Sequence, residues 1–333
     1  MAPGATTAAM TRRGWVLFSA MCVIWGIPYL MIRVAVRELS PASLVLVRTG
    51  VSALLLLPLA LGRREVRPVL RRWSALLVFA VVEIAVPWIF LASAEKRVTS
   101  SLAGLLIAAV PLVAVAIAAT TGSRQRPGRS TLFGLALGFG GVAAILGLDL
   151  HGASAMGIAE LGVVAVCYAL GPAILTAFLA DLPPLGVIAV ALTVSAVAYI
   201  PIAAFSLPSE VPSGRVIASV AGLSVICTAL AFLVFFALIA EIGPVRGMVF
   251  TYVNPSVAAV LGVAVLSEPF TTGMGVGFAL VLAGSYLATR PRGPRAEVAF
   301  TGDDEAAVGT LASRIRHERR RAGRLFLLQR RDG

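Results

Sequence analysis

Val98-Thr99-Ser100-Ser101 opens an apolar run that passes through Leu105 and Leu106 to Pro111, and Ile242-Gly243-Pro244-Val245 opens another that passes through Val249 and Phe250 to Pro255. The two prolines lie 144 residues apart. The glycines that follow them repeat at an offset of 143, Gly134 with Gly277 and Gly141 with Gly284, as do Pro41 and Pro184. Counting apolar segments outward from these stretches gives five in each copy. A unit with an odd number of crossings enters the bilayer upside down the second time it is used. The duplication therefore predicts inverted repeats, the construction of secondary transporters, with the substrate site where the repeats meet.

Composition agrees with a membrane chain. Hydrophobic residues make up 59% and charged residues 13%, against about 25% charged in a soluble domain. The apolar runs are about 20 residues long, enough for a helix to cross a hydrocarbon core about 30 Å thick. They read as 15–36, 41–61, 73–93, 98–121, 131–148, 157–180, 185–206, 216–240, 243–267 and 271–289. The expected fold is an all-α polytopic membrane protein, ten transmembrane helices as two inverted five-helix repeats. Its parts are an amino terminus at 1–14, repeats at 15–148 and 157–290, and a basic tail at 291–333. The first run is too long, and lacks the small-residue cleavage site, for a removed signal peptide.

Basic residues set the expected orientation, because Lys and Arg are retained on the cytoplasmic side. Arg12 and Arg13, then Arg63, Arg64, Arg67, Arg71 and Arg72, then Arg124, Arg126 and Arg129 fall on one side. The opposite links hold Arg33 with Arg37, Lys96 with Arg97, and Arg215. Both termini are thus expected in the cytoplasm, with the chain in the cytoplasmic membrane. A net charge of +12 spread over such loops and a tail points away from nucleic acid. In the tail, Leu311, Ile315, Ala322, Leu325 and Phe326 can form one face of a helix on anionic lipid, with a solvated tail as the alternative.

Cys22, Cys167 and Cys227 fall in separate spans, and the histidines, His151 and His317, lie outside all of them. No spacing suggests a metal site, a redox pair or a disulfide. Neither a phosphate-binding loop nor a serine-hydrolase elbow is present. No catalytic residue, metal or cofactor is expected, and energy must come from a gradient. An uncoupled facilitator of the same fold stays open, as does, more remotely, a membrane enzyme, although the links offer only scattered charges.

The few polar groups within spans carry the functional reading, since burying them in lipid is costly. Glu83 stands ten residues from either end of its run, about 15 Å deep. It is the candidate to bind a substrate amine or exchange a proton, with a structural carboxyl as the alternative. Arg48, seven residues into the second run, needs an anion or a carbonyl, and Glu83 is a plausible partner. Trp25 maps onto Tyr168 at the repeat offset, so their rings can flank a cavity or simply pack. Tyr252 and Asn254 add hydrogen-bonding capacity before Pro255. The expected site is therefore Trp25, Glu83, Tyr168, Tyr252 and Asn254 around a small solute, with Arg48, Pro111 and Pro255 as structural or gating residues. Glu160 and Glu268 read as boundary residues, Glu268 capping the turn before Thr271. The pairs Gly134 with Gly138 and Gly273 with Gly277 suit close helix packing in a scaffold or a homodimer. Several polar positions lack a counterpart in the other copy: Glu83 faces Ile226, Arg48 faces Ala191 and Asn254 faces Val110.

These residues also carry a family likeness. Trp25-Gly26, Pro41 with Arg48, the run from Ala103 to Pro111, and the block from Gly243 to Leu266-Ser267-Glu268-Pro269-Phe270 resemble the EamA-type branch of the drug/metabolite transporters. The resemblance implies a ten-helix fold of inverted repeats that exports small metabolites, such as amino acids, or drugs. It also implies that the first four helices of each half line a central cavity while the fifth and tenth stand outside. The chain departs from the pattern at Arg124, which occupies the place corresponding to Glu268, and in its long basic tail.

Overall fold

The computed structural model describes residues 10–120, 128–147, 154–243 and 247–289. The basic tail, Arg124 and the proposed lipid-facing helix of the tail lie outside these residues. The described chain is helical, with ten helices long and apolar enough to cross a membrane. They are α1 Arg12–Ala35, α2 Pro41–Gly62, α3 Trp73–Ala94, α4 Ser100–Ala119, α5 Arg129–Leu146, α6 Ala155–Leu179, α7 Pro184–Ala204, α8 Gly214–Ile242, α9 Met248–Leu266 and α10 Thr272–Thr289. Their starts obey the usual local rules. Thr11, Ser40 and Thr99 each accept a first-turn N–H on their hydroxyls, satisfying a donor that the helix itself cannot. Pro41 and Pro184 occupy the first turn, where no N–H is needed.

The helices pack by exchange between halves. α2 lies on α7, α4 on α9 and α5 on α10, while α3 meets α6 and α1 meets α8. Exchanging the two halves maps each of the first three pairs onto itself and turns the α3–α6 pair into the α8–α1 pair. The paired helices run antiparallel. At the start of α2 the Ser43 hydroxyl donates to the Ser206 carbonyl, just beyond the end of α7, at 2.9 Å. Beyond the other end of α2, Glu65 accepts from the Gly186 N–H at the start of α7 at 3.0 Å. In the same sense Gly134 abuts Gly284 and Ala288, and Gly141 abuts Gly277 and Val281. The repeats are inverted.

The glycines expected to allow close helix packing do so between α5 and α10. Gly134 and Gly138 of α5 meet Gly284 of α10, Gly141 meets Gly277, and Gly138 also faces Leu112, all within the same chain. Those faces are used up inside the fold and are not free for a second copy.

Regular α-helix fails at matched places in α4 and α9 and in α3 and α8, and also in α1, whose counterpart runs unbroken from Ala155 to Ile174. α1 stops at Ile24 and resumes at Pro28, with the Gly26 N–H turning back to the Val23 carbonyl at 3.0 Å. α4 is interrupted between Ile107 and Val110, just before Pro111, and α9 begins as a 3₁₀ turn, Met248–Tyr252, that becomes α-helix at Asn254, just before Pro255. Each proline removes one helical donor, so the break falls in the turn before it. α3 and α8 carry π-helical stretches, Ala80–Ala85 and Gly222–Leu230, which overlap at the repeat offset. Carbonyls loosened there find side-chain donors: Tyr199 hydroxyl to Ala85 at 2.8 Å and Ser52 hydroxyl to Ser224 at 2.8 Å.

At the α1–α2 link, Glu38 accepts from the N–H and hydroxyl of Ser213, both at 2.6 Å, at the start of α8. Those bonds hold its carboxyl below the usual range. A lowered folded value means that the contact stabilises above the unfolded pKa and is lost as pH falls through the folded one. Thermal melts of Glu38→Gln should show a weaker acid limb below about pH 4 than the native chain. An unchanged limb removes Glu38 from the acid response; the effect is small because the pair is exposed.

Candidate functional site

Arg48 reaches from α2 to the middle of the bundle. Its guanidinium carbon stands 3.7 Å from the centroid of the Trp88 ring, and its Nε donates to the Thr228 hydroxyl at 3.0 Å. The residue is 8% exposed. Thr228 is free to accept because its own proton goes to the Leu223 carbonyl, one residue further back than in an α-helix, a geometry that the π-helical stretch supplies. The Arg48–Glu83 pair expected from the sequence is not formed: among the described residues the ion pairs are Arg13–Glu241, Arg72–Asp181 and Arg97–Glu160.

Glu83 instead turns to α6. Its carboxyl occupies the space that a Cβ at position 171 would need, so Gly171 makes room for it. Its Oε2 is shut from solvent and, among the described residues, has no hydrogen-bond partner. Tyr168, one turn earlier on α6, lies within electrostatic reach of both Glu83 and Arg48. It packs against both large apolar cores, one gathering α1, α4 and α9, the other α2, α3 and α7. Glu83, Tyr168, Trp88, Arg48 and Thr228 thus form one neighbourhood drawn from four helices.

Trp25 and Asn254 form a second. The Trp25 ring lies 5.8 Å from Phe232, 5.3 Å from Phe235 and 5.3 Å from Phe250. The Asn254 amide, oriented by its neighbours, donates to the carbonyls of Phe250 at 3.0 Å and Cys22 at 3.1 Å. Cys22 is the residue whose carbonyl the break in α1 leaves unused, because Gly26 bonds to Val23 instead. Asn254 therefore satisfies backbone at the break and ties α9 to α1. Tyr252 joins neither group: its hydroxyl meets that of Thr289 at 3.1 Å, at the end of α10. The five residues expected around one solute are dispersed over three places.

Two further carboxylates were misjudged or missed. Glu268 does not cap the turn before Thr271. Ser267 adopts a left-handed conformation, φ 54°, which brings the Glu268 carboxylate beneath the start of α4. There it accepts from the N–H groups of Ser100 and Ser101 at 2.8 and 2.9 Å and from their hydroxyls at 3.0 and 2.7 Å. Gly262 leaves the space for this contact. Glu95 follows the last residue of α3 and is fully buried. Its main-chain carbonyl accepts from Arg33, but among the described residues neither carboxyl oxygen has a partner. Burial, with Glu268 nearby, holds that carboxyl well above the usual range. Glu95 lies beside Lys96 and Arg97 in a short link, which makes it look solvated; only the completeness of its burial sets it apart.

Ten membrane-length helices, inverted five-helix halves and helices broken near the junction of those halves define a multi-pass membrane transporter. The pattern of the EamA-like transporter family matches the chain twice, over residues 12–147 and 155–290. The chain belongs to that family. An uncharacterized transporter of Archaeoglobus fulgidus is 26% identical over 279 residues, spanning 84% of this chain and 99% of the relative. The uncharacterized inner membrane transporter YedA of Escherichia coli K12 is 27% identical over 281 residues, spanning 80% and 90%. One solved crystal structure shares the fold with a TM-score of 0.59 at 19% identity, covering 83% of this chain and 96% of its own.

Proposed function

We propose that this protein exports small metabolites or drugs, amino acids and related solutes among them, across the cytoplasmic membrane by alternating access, coupled to protons through Glu83. The repeats at 15–148 and 157–290 are the moving halves, and both termini face the cytoplasm. The observation that carries the reading is the matched pair of helix breaks in α4 and α9, with a further break in α1, which supply hinges where the halves meet. The orientation rests on the arginines of the α2–α3 link and the retention of such residues inside. Coupling rests on Glu83, a lone carboxyl facing a glycine, the kind of intramembrane group that relays protons. In proteoliposomes under an imposed pH gradient, Glu83→Gln should abolish pH-driven solute movement while leaving the thermal melt near that of the native protein. Full pH-driven activity in the variant removes Glu83 from the mechanism. An uncoupled facilitator is the second reading, favoured by the seat of Glu83 against α6, apart from the Trp25 group. It predicts equilibration of solute without accumulation against its gradient.

A further inference from the structure

Arg48 is a buried cation without an anion. It is 8% exposed, and among the described residues no carboxylate lies within ion-pair distance of it. A guanidinium keeps its proton in proteins, so the fold holds this charge permanently. Two contacts fix its plane: the face of Trp88 and the bond from Nε to Thr228. Neither uses the paired Nη groups, the edge that receives a carboxylate with two parallel bonds. Tyr29 and Tyr168 lie within electrostatic reach, beside the Trp88 ring.

We propose that Arg48 receives the carboxylate of the transported solute, so that the cargo is a monocarboxylate with an apolar or aromatic body. This rests on the transport reading above and narrows it. A phosphate dianion fits less well, because the next guanidinium, Arg33, is committed to the Glu95 carbonyl, and Glu95 itself lies within electrostatic reach of Arg48. Among the described residues, a second negative charge on the solute therefore has no second free guanidinium to meet. The assignment also explains why Arg48 has no counterpart in the other repeat, where Ala191 stands. A single cargo carboxylate needs a single guanidinium.

The test uses the full chain in lipid nanodiscs with matched probes: 3-phenylpropionate, L-leucine and octanoate against 3-phenylpropionamide, 3-phenylpropylamine and phenyl phosphate. Binding is read by calorimetry and by tryptophan fluorescence, since Trp88 lies on the proposed site. The carboxylates should bind at least tenfold more tightly than the amide, the amine and the phosphate, with Arg48→Gln losing about tenfold or more and Arg48→Lys losing less. Binding of no carboxylate, preference for the amide, amine or phosphate, or native affinity in a folded Arg48→Gln overturns the assignment. The selectivity of the native protein decides the matter even if the variants fail to fold. Carboxylate binding by a protein that moves no solute in proteoliposomes would sink the transport reading and leave the site. Efflux of amines alone would do the reverse.

Discussion

Glu268→Ala should destabilise the protein by about 3–5 kcal/mol, the cost of removing one side of a buried, hydrogen-bonded charged contact. The carboxylate accepts from four donor groups of Ser100 and Ser101, both fully buried. With alanine in its place two N–H groups and two hydroxyls lose their acceptor at once, and each unpaired donor costs about 1–3 kcal/mol. The negative charge also sits at the amino end of α4, where the helix dipole favours it. Because the contact joins the end of α9 to the start of α4, the loss also loosens one half from the other. For a chain of this size, a melt in detergent should fall by about 4–7 °C. Glu268→Gln keeps one carbonyl acceptor and should fall between the two. An alanine variant that melts with the native protein would mean that the serines find other acceptors and that Glu268 does not clamp the repeats.

What could be read from the sequence and what could not divides along a physical line. Span number and inversion come from run length and from the 143–144 offset, both properties of local composition, and they reappear in the antiparallel pairs. Pro111 and Pro255 announce breaks because a missing N–H is a local fact. Side-chain partners are not local. Glu268 finds its donors 167 and 168 residues away, and Arg48 finds Thr228 at a separation of 180. The offset told which positions are equivalent, not which ones touch. The need of a buried guanidinium for an anion pointed to Glu83 as a partner for Arg48, whereas Glu83 spends its length on the gap at Gly171. Asn254 shows the same limit, since its donors serve a carbonyl freed by a break in a different helix. Glu95 was hidden by its neighbours in the chain, two basic residues that make a short link look wet.

Gly284→Leu is the other change with a large expected effect. A Cβ at position 284 would sit 2.5 Å from the Gly138 Cα and 2.6 Å from the Gly134 carbonyl oxygen. Those are backbone atoms of α5, so no side chain can swing aside to relieve the clash. α10 must retreat along its length, giving up the close approach that small residues permit in a membrane, where packing rather than hydrophobic exclusion holds helices together. Overpacking a tight interior site costs about 1–3 kcal/mol even when neighbours can move, and here they cannot. A loss of about 3 kcal/mol or more is expected, with aggregation on gel filtration. Gly140→Leu supplies the comparison on α5 itself, because nothing lies within 4 Å of the Cβ it would add; it should melt with the native protein and transport normally. The opposite outcome, tolerance at 284 and damage at 140, would show that α5 presents its other face to a partner in the membrane, and that the glycine seam does not hold α5 to α10.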